Sequence, residues 1–150
     1  MIRLGLKMRL KYTYFICELD FGSGGTRCCS QSELYASIKR LYTELYGDAG
    51  WGKAATSLAV KHVDPSTRLS IVRASTESRP QLHACLALLK SVGGLPVAVC
   101  VRGCASTIRT LKEQYRRLCG NFRAREDADG PTSLANSATQ LFWESLDAES

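Results

Sequence analysis

The apolar residues of this chain keep changing their spacing, from every second residue to every third or fourth and back, and few layered folds accommodate that order. In LKYTYFICEL, residues 10–19, Tyr12, Tyr14 and Ile16 fall on one side of a pleat and mark a first strand. Gly22, Gly24 and Gly25 then make a loop. Ser30 and Glu33 have capping-box spacing, and Leu34, Ile38, Leu41, Tyr42 and Leu45 recur at helical intervals until Gly47. Residues 54–63 and 68–74 are two β-prone runs around Asp64, Pro65, Ser66 and Thr67; Pro suits the second position of a type I turn, so they read as a hairpin. A second helical stripe, Leu82, Cys85, Leu86, Leu89 and Val92, opens near Pro80 and closes at Gly93, and a last strand runs from Pro96 to Arg102. The order strand, helix, strand, strand, helix, strand predicts an α+β fold of the split βαβ type, two helices covering one face of a four-stranded antiparallel sheet. A third helix is appended. It begins near Ser106 or Thr107, with Ile108, Leu111, Tyr115 and Leu118 on one stripe and Arg109, Lys112 and Arg116 beside it.

Charge is spread unevenly over the 150 residues, a length that suits one domain. Lys and Arg number 20 against 14 Asp and Glu, but residues 126–150 hold six of those acids and no base, which leaves residues 1–125 a net charge of +12. So cationic a body expects a polyanion. Beyond Gly120 the composition turns to Ala, Asp, Ser and Gly, with only Leu134, Leu141, Phe142, Trp143 and Leu146 able to anchor a terminal helix. Residues 121–150 are therefore expected to be an acidic tail, mobile or ordered by a partner. Seven cysteines, an odd number whose one adjacent pair is Cys28 and Cys29, argue against a disulfide framework and for thiols in the cytosol or nucleus. Lys90, Gly93, Gly94 and Pro96 interrupt the most apolar stretch, so no membrane span is expected. The start, Met1 to Leu10, has some character of a presequence, yet Arg3, Lys7, Arg9 and Lys11 break it too often for a secretory signal.

No constellation for protein-based catalysis emerges. Cys28, Cys29, Cys100, Cys104, Cys119, His62 and His83 lack the paired spacing of a zinc site. His83 and Cys85 stand two apart on a helix and point in different directions. The glycines at 22, 24 and 25 lack the lysine of a phosphate-cradling loop, and Glu18, Glu77 and Glu113 form no acid–base pair. No catalytic or metal residue is assigned. Basic residues, in contrast, collect at element ends: Arg9 and Lys11 at the first strand, Arg73 late in the third, Arg102 ending the fourth, then Arg109, Lys112 and Arg116 on the third helix, where Thr107 stands at the N-terminus whose N–H groups favour phosphate. These eight are the RNA-binding candidates. A fold of this order with positive charge first suggests an RNA-recognition motif, which stacks bases on strand aromatics. Residues 68–75, RLSIVRAS, contain no aromatic where that motif has its aromatic-rich strand, so contact through phosphates and shape is the better reading. Tyr12 and Tyr14 could stack bases, although packing is the commoner use.

Residues 8–118 resemble the Pop-five protein-subunit family of ribonuclease P and ribonuclease MRP. The similarity is carried by MRLKYTYFICEL at 8–19, WG at 51–52, SIVR at 70–73 and STIRT at 106–110, in this order and spacing. Ser106 stands where the family usually has Gly, and Ser75 where it often has a basic residue. The resemblance implies an α/β sandwich of ferredoxin-like, RNA-recognition-motif-like topology. It divides the chain into an extension at 1–7, an RNA-binding domain at 8–120 and the acidic tail at 121–150. It further implies a non-catalytic subunit of a ribonucleoprotein whose RNA, with its own Mg²⁺, removes the 5′ leader of precursor tRNA and possibly processes pre-rRNA. Implied partners are that catalytic RNA, precursor tRNA nearby, a thirty-kilodalton barrel-like subunit and a paralogous small subunit. Tyr35, Tyr42 and Tyr46 could face a protein partner or the core, no cofactor is expected on the protein itself, and the location implied is the nucleus, specifically the nucleolus. The rival reading is a protein–protein scaffold module that makes no direct RNA contact.

Overall fold

The computed structural model describes residues 12–22, 29–126 and 143, with residues 121–126 as helical backbone only. Strand β1 (Tyr12–Asp20) is followed by helix α1 (Gln31–Ala55), strands β2 (Ala59–Val63) and β3 (Leu69–Ser75), and helix α2 (Arg79–Leu88). Two short strands, β4 (Ser91–Val92) and β5 (Leu95–Pro96), precede β6 (Ala98–Ala105) and helix α3 (Ile108–Glu126). The four long strands form one antiparallel sheet in the order β2-β3-β1-β6, the strand order of the expected split βαβ fold.

The sheet is covered on both faces, because the central strand is apolar on both sides of its pleat. Phe15, Cys17 and Leu19 of β1, with Val72 and Ala74 of β3, pack beneath Leu34, Ile38 and Tyr42 of α1 and Leu82, Cys85 and Leu86 of α2. On the other face Tyr14 and Ile16 join Leu69, Ile71 and Ala105 under Leu111 and Tyr115 of α3. Each fully buried side chain of this size contributes roughly 1.5–3 kcal/mol. The third helix is thus a second layer on the sheet, which its apolar stripe foreshadows without saying which surface it meets.

Helix α1 starts as the spacing predicts. The Ser30 hydroxyl accepts the Glu33 N–H at 3.1 Å while the Glu33 carboxylate accepts the Ser30 N–H at 3.2 Å. The expected stop at Gly47 is instead a break: with φ 75° and ψ 176° that residue leaves the helix, which then resumes to Ala55. Packing brings the helix back, since Trp51 sets its ring edge-on to both Tyr35 and Tyr42, each at 5.8 Å. The strand expected over 54–63 is accordingly shortened to Ala59–Val63. A second correction concerns residues 89–97. The helical stripe does not run to Val92; α2 ends at Leu88, and β4 and β5 form a hairpin around Gly93 and Gly94, whose φ angles of 60° and 80° suit a two-residue turn. The last strand therefore begins at Ala98 and extends to Ala105, three residues past the expected end.

Two thiols lie deep in the first core. Burial pushes Cys17 up to about 12 and Cys85 up to about 11 from an ordinary value of 9.0. An unfolded chain ionises at pH values where the native thiols stay protonated, so stability is whole below pH 9 and is lost as the pH climbs toward these raised values. Unfolding free energies from denaturant titration are expected to fall through this window by up to about 1.4 kcal/mol per pH unit for each thiol, and more gently in Cys17→Ala.

Candidate nucleic-acid interface

Among the described residues, the candidates that share one element stand on α3. Thr107 caps it: its carbonyl accepts the Leu111 N–H at 3.0 Å, and its Oγ1 accepts the Thr110 N–H at 3.2 Å. Leu111 and Tyr115 face the sheet and are buried, Ile108 and Leu118 flank them, and Arg109 and Arg116 are exposed with Lys112 half-buried between. At about 100° per residue, Arg109, Lys112 and Arg116 occupy an arc of roughly 60°, away from the buried stripe. Arg117, also exposed, extends the cationic surface, and Glu113 supplies a single acid within it. A polyanion reaching this surface meets a row of guanidinium and ammonium groups on a rigid rod.

Side chains under α3 hold that rod in place. Gln114 donates from Nε2 to the Cys104 carbonyl at 3.1 Å, and an added Cβ at Gly103 would lie 2.5 Å from the Gln114 Oε1, so the small residue in β6 leaves room for the Gln114 amide. The ring of Tyr115 meets His62 of β2 at 6.2 Å. Burial holds His62 below the usual imidazole range, with the Asp64 carboxylate opposing the shift, so the ring under the helix is kept neutral. Neither Gln114 nor Gly103 stood out in the sequence, although a glycine within a strand is itself a sign of close approach.

The remaining candidates are separately placed. Arg9 and Lys11 lie outside the described residues. Arg73 pairs in register with Tyr14, which pairs on its other side with Ala105, so Arg73 stands about 10 Å from the strand end that leads into α3. Its guanidinium lies 4.4 Å over the Tyr12 ring, and its Nε donates to the Ser57 carbonyl at 3.1 Å. Arg102 sits where the β1–β6 register shifts, and its Nε donates to the Glu18 carboxylate at 2.7 Å. A local acid therefore already balances the Arg102 charge. Arg109 and Arg116 carry the cationic potential outward.

The aromatics sort in a way that bears on readout. Tyr14 is buried beneath α3 and Tyr12 is 37% exposed under Arg73, so the sheet face on which bases could stack is covered. In α1, Tyr42 belongs to the core, Tyr35 packs on Trp51, and Tyr46 remains 37% exposed. No group of three or more His, Cys, Asp or Glu converges as a metal-ligand set among the described residues. Nor is any described helix long and apolar enough to cross a membrane.

Comparison with known proteins finds relatives of this chain. The sequence profile of the Rpp14/Pop5 family matches residues 13–116. The chain is 31% identical over 121 residues to a protein of Arabidopsis thaliana named probable ribonuclease P/MRP protein subunit POP5, a match spanning 75% of this chain and 80% of the relative. Identity is 36% over 78 residues to the ribonuclease P/MRP protein subunit POP5 of Schizosaccharomyces pombe, spanning 52% of this chain and 56% of that one. Among solved structures, a chain in the cryo-EM structure of yeast ribonuclease MRP superposes with a TM-score of 0.55 at 15% identity, over 74% of this chain and 95% of that chain. At so low an identity the structural likeness speaks for the fold.

Proposed function

Because the chain belongs to the Rpp14/Pop5 family, and so to the protein subunits of the ribonuclease P/MRP ribonucleoprotein, we propose that it contributes positive potential rather than catalytic groups, through the exposed face of α3. The observation that carries the proposal is the division of α3 between an inner stripe consumed by the sheet and an outer row of Arg109, Lys112 and Arg116. Folding an RNA around divalent ions crowds its phosphates, and cations held on a rigid element relieve that repulsion without reading sequence. In this reading the RNA holds the Mg²⁺ and hydrolyses the phosphodiester that joins the 5′ leader to precursor tRNA, with pre-rRNA as a further substrate of the particle. A thirty-kilodalton barrel-like subunit and a paralogous small subunit are the proposed protein neighbours. Leu45, Tyr46 and Leu88, exposed on helices of the opposite face, supply apolar surface for them. The reading carries with it a nuclear location, and within the nucleus the nucleolus.

Cross-linking in the assembled particle tests the proposal. RNA cross-links are expected within residues 107–117, and the purified protein without RNA is expected to leave precursor tRNA uncut. Metal-dependent cleavage by the RNA-free protein, or cross-links confined to α1 and α2, would sink it.

A further inference from the structure

We propose that α3 lies along the minor groove of a base-paired RNA segment, with Glu113 at its crown accepting hydrogen bonds from 2′-hydroxyl groups. The inference rests on the reading of α3 as the RNA-facing element. At about 100° per residue the buried stripe of Leu111 and Tyr115, flanked by Ile108 and Leu118, is centred roughly 180° from Glu113, so this exposed acid occupies the line of α3 farthest from the sheet. Arg109 stands about 40° to one side of it and Arg117 about 40° to the other, with Arg116 and Lys112 farther round on the Arg109 side. The acid is enclosed by bases. Arg109 and Arg117 are each four residues from Glu113, the spacing at which Arg40 and Glu44 meet at 3.7 Å in α1, yet none of the ion pairs among the described residues includes Glu113.

A carboxylate accepts hydrogen bonds and donates none, and the same holds for an ionised phosphate, so the complement of Glu113 on an RNA is a donor. Along the backbone the donor that every nucleotide carries is the 2′-hydroxyl. Paired RNA displays it in a wide, shallow minor groove that admits a helix about 10–12 Å across, whereas its major groove is deep and narrow. Crown and flanks then meet different chemistry. Glu113 faces the hydroxyl-lined floor, while Arg109, Lys112 and Arg116 reach the phosphates of one strand and Arg117 those of the other. The aromatics point to paired RNA as well. An unpaired strand has to be ordered on binding, a cost usually offset by stacking its bases on aromatic side chains, but Tyr14, Tyr115 and Trp143 are buried between α3 and the sheet and Tyr12 lies under Arg73. A stem arrives with its phosphates already in place. Glu113 thereby makes a surface that is blind to sequence able to tell RNA from DNA.

The test measures binding of the full-length protein to a fluorescently labelled RNA hairpin, to the same hairpin with 2′-fluoro sugars, which keep the A-form helix but cannot donate, and to an unpaired RNA strand of equal length. The hydroxyl hairpin is expected to bind about tenfold tighter than either. In Glu113→Ala the 2′-fluoro hairpin is expected to gain affinity as repulsion is lifted, and the preference for hydroxyls to vanish; Glu113→Gln, which keeps an acceptor, is expected to retain part of that preference. Equal tightening of both hairpins by Glu113→Ala overturns the groove placement, as does a 2′-fluoro hairpin or unpaired strand bound as tightly as the hydroxyl hairpin by the unaltered chain. Either result leaves the RNA reading standing so long as affinity still falls when Arg109 and Lys112 are reversed. Binding indifferent to that reversal overturns the RNA reading and the groove placement together.

Discussion

Reversing Arg109 and Lys112 to Glu is expected to weaken RNA association roughly thirtyfold at moderate salt and to reduce the slope of log affinity against log salt by about 2. Each phosphate contact releases condensed counterions from the RNA, so removing two contacts removes their share of the salt dependence, and the new carboxylates add repulsion on top. The fold is expected to survive, because Arg109 is exposed and Lys112 half-exposed on a helix whose seat is made by Leu111, Gln114 and Tyr115. An unchanged melting temperature with a flattened salt slope identifies the effect as electrostatic. A salt slope equal to that of the unaltered chain removes these residues from the interface.

Tyr115→Ala is expected to act through the opposite mechanism. The ring is 1% exposed and touches His62, Trp143 and the β1–β3 surface, so truncation deletes a large buried side chain and leaves a cavity between helix and sheet. The cost is expected to be about 4 kcal/mol, which lowers the melting temperature of a domain of this size by about 12 °C. Tyr14, Ile16 and Ile71 lie directly beneath, so loosening α3 exposes apolar sheet, seen as increased dye binding and self-association. RNA affinity falls as well, because the basic row loses its rod. Melting and salt slope together separate this variant from the charge reversal: one unfolds the interface, the other discharges it. A thermal shift below a few degrees would mean that α3 is held by something other than this ring.

Much of the architecture was legible in local chemistry. Ser30 and Glu33 announced the first helix, alternation in β1 announced a strand, though not that both of its faces are buried, and the Ile108, Leu111, Tyr115 stripe announced a third helix. The misreadings came where distant packing overrode local punctuation. Gly47 reads as a terminator, but Trp51 draws the chain back into helix by closing on Tyr35 and Tyr42. The apolar residues from Leu82 to Val92 keep helical spacing, but Gly93 and Gly94 permit a tight hairpin that pairs Val92 with Leu95. At the candidate interface the charges were visible and their partners were not. That Arg102 is matched by Glu18, or that Arg73 lies over Tyr12, depends on register between strands far apart in sequence. The position of Trp143 against Tyr115 was equally hidden, because nothing local tells an anchoring aromatic where its socket lies.

The roof that α3 places over the sheet has a consequence for how protein and RNA would change together over time. On the proposed reading, the described face of the sheet offers nucleobases no open aromatic shelf, and the gene for the RNA would be free to drift in letters so long as its backbone kept the same spacing of charges. Substitutions tolerated on the two sides should therefore track geometry and not alphabet, and an RNA from a distant lineage with the right contour would serve where a closely matched but misfolded one would not.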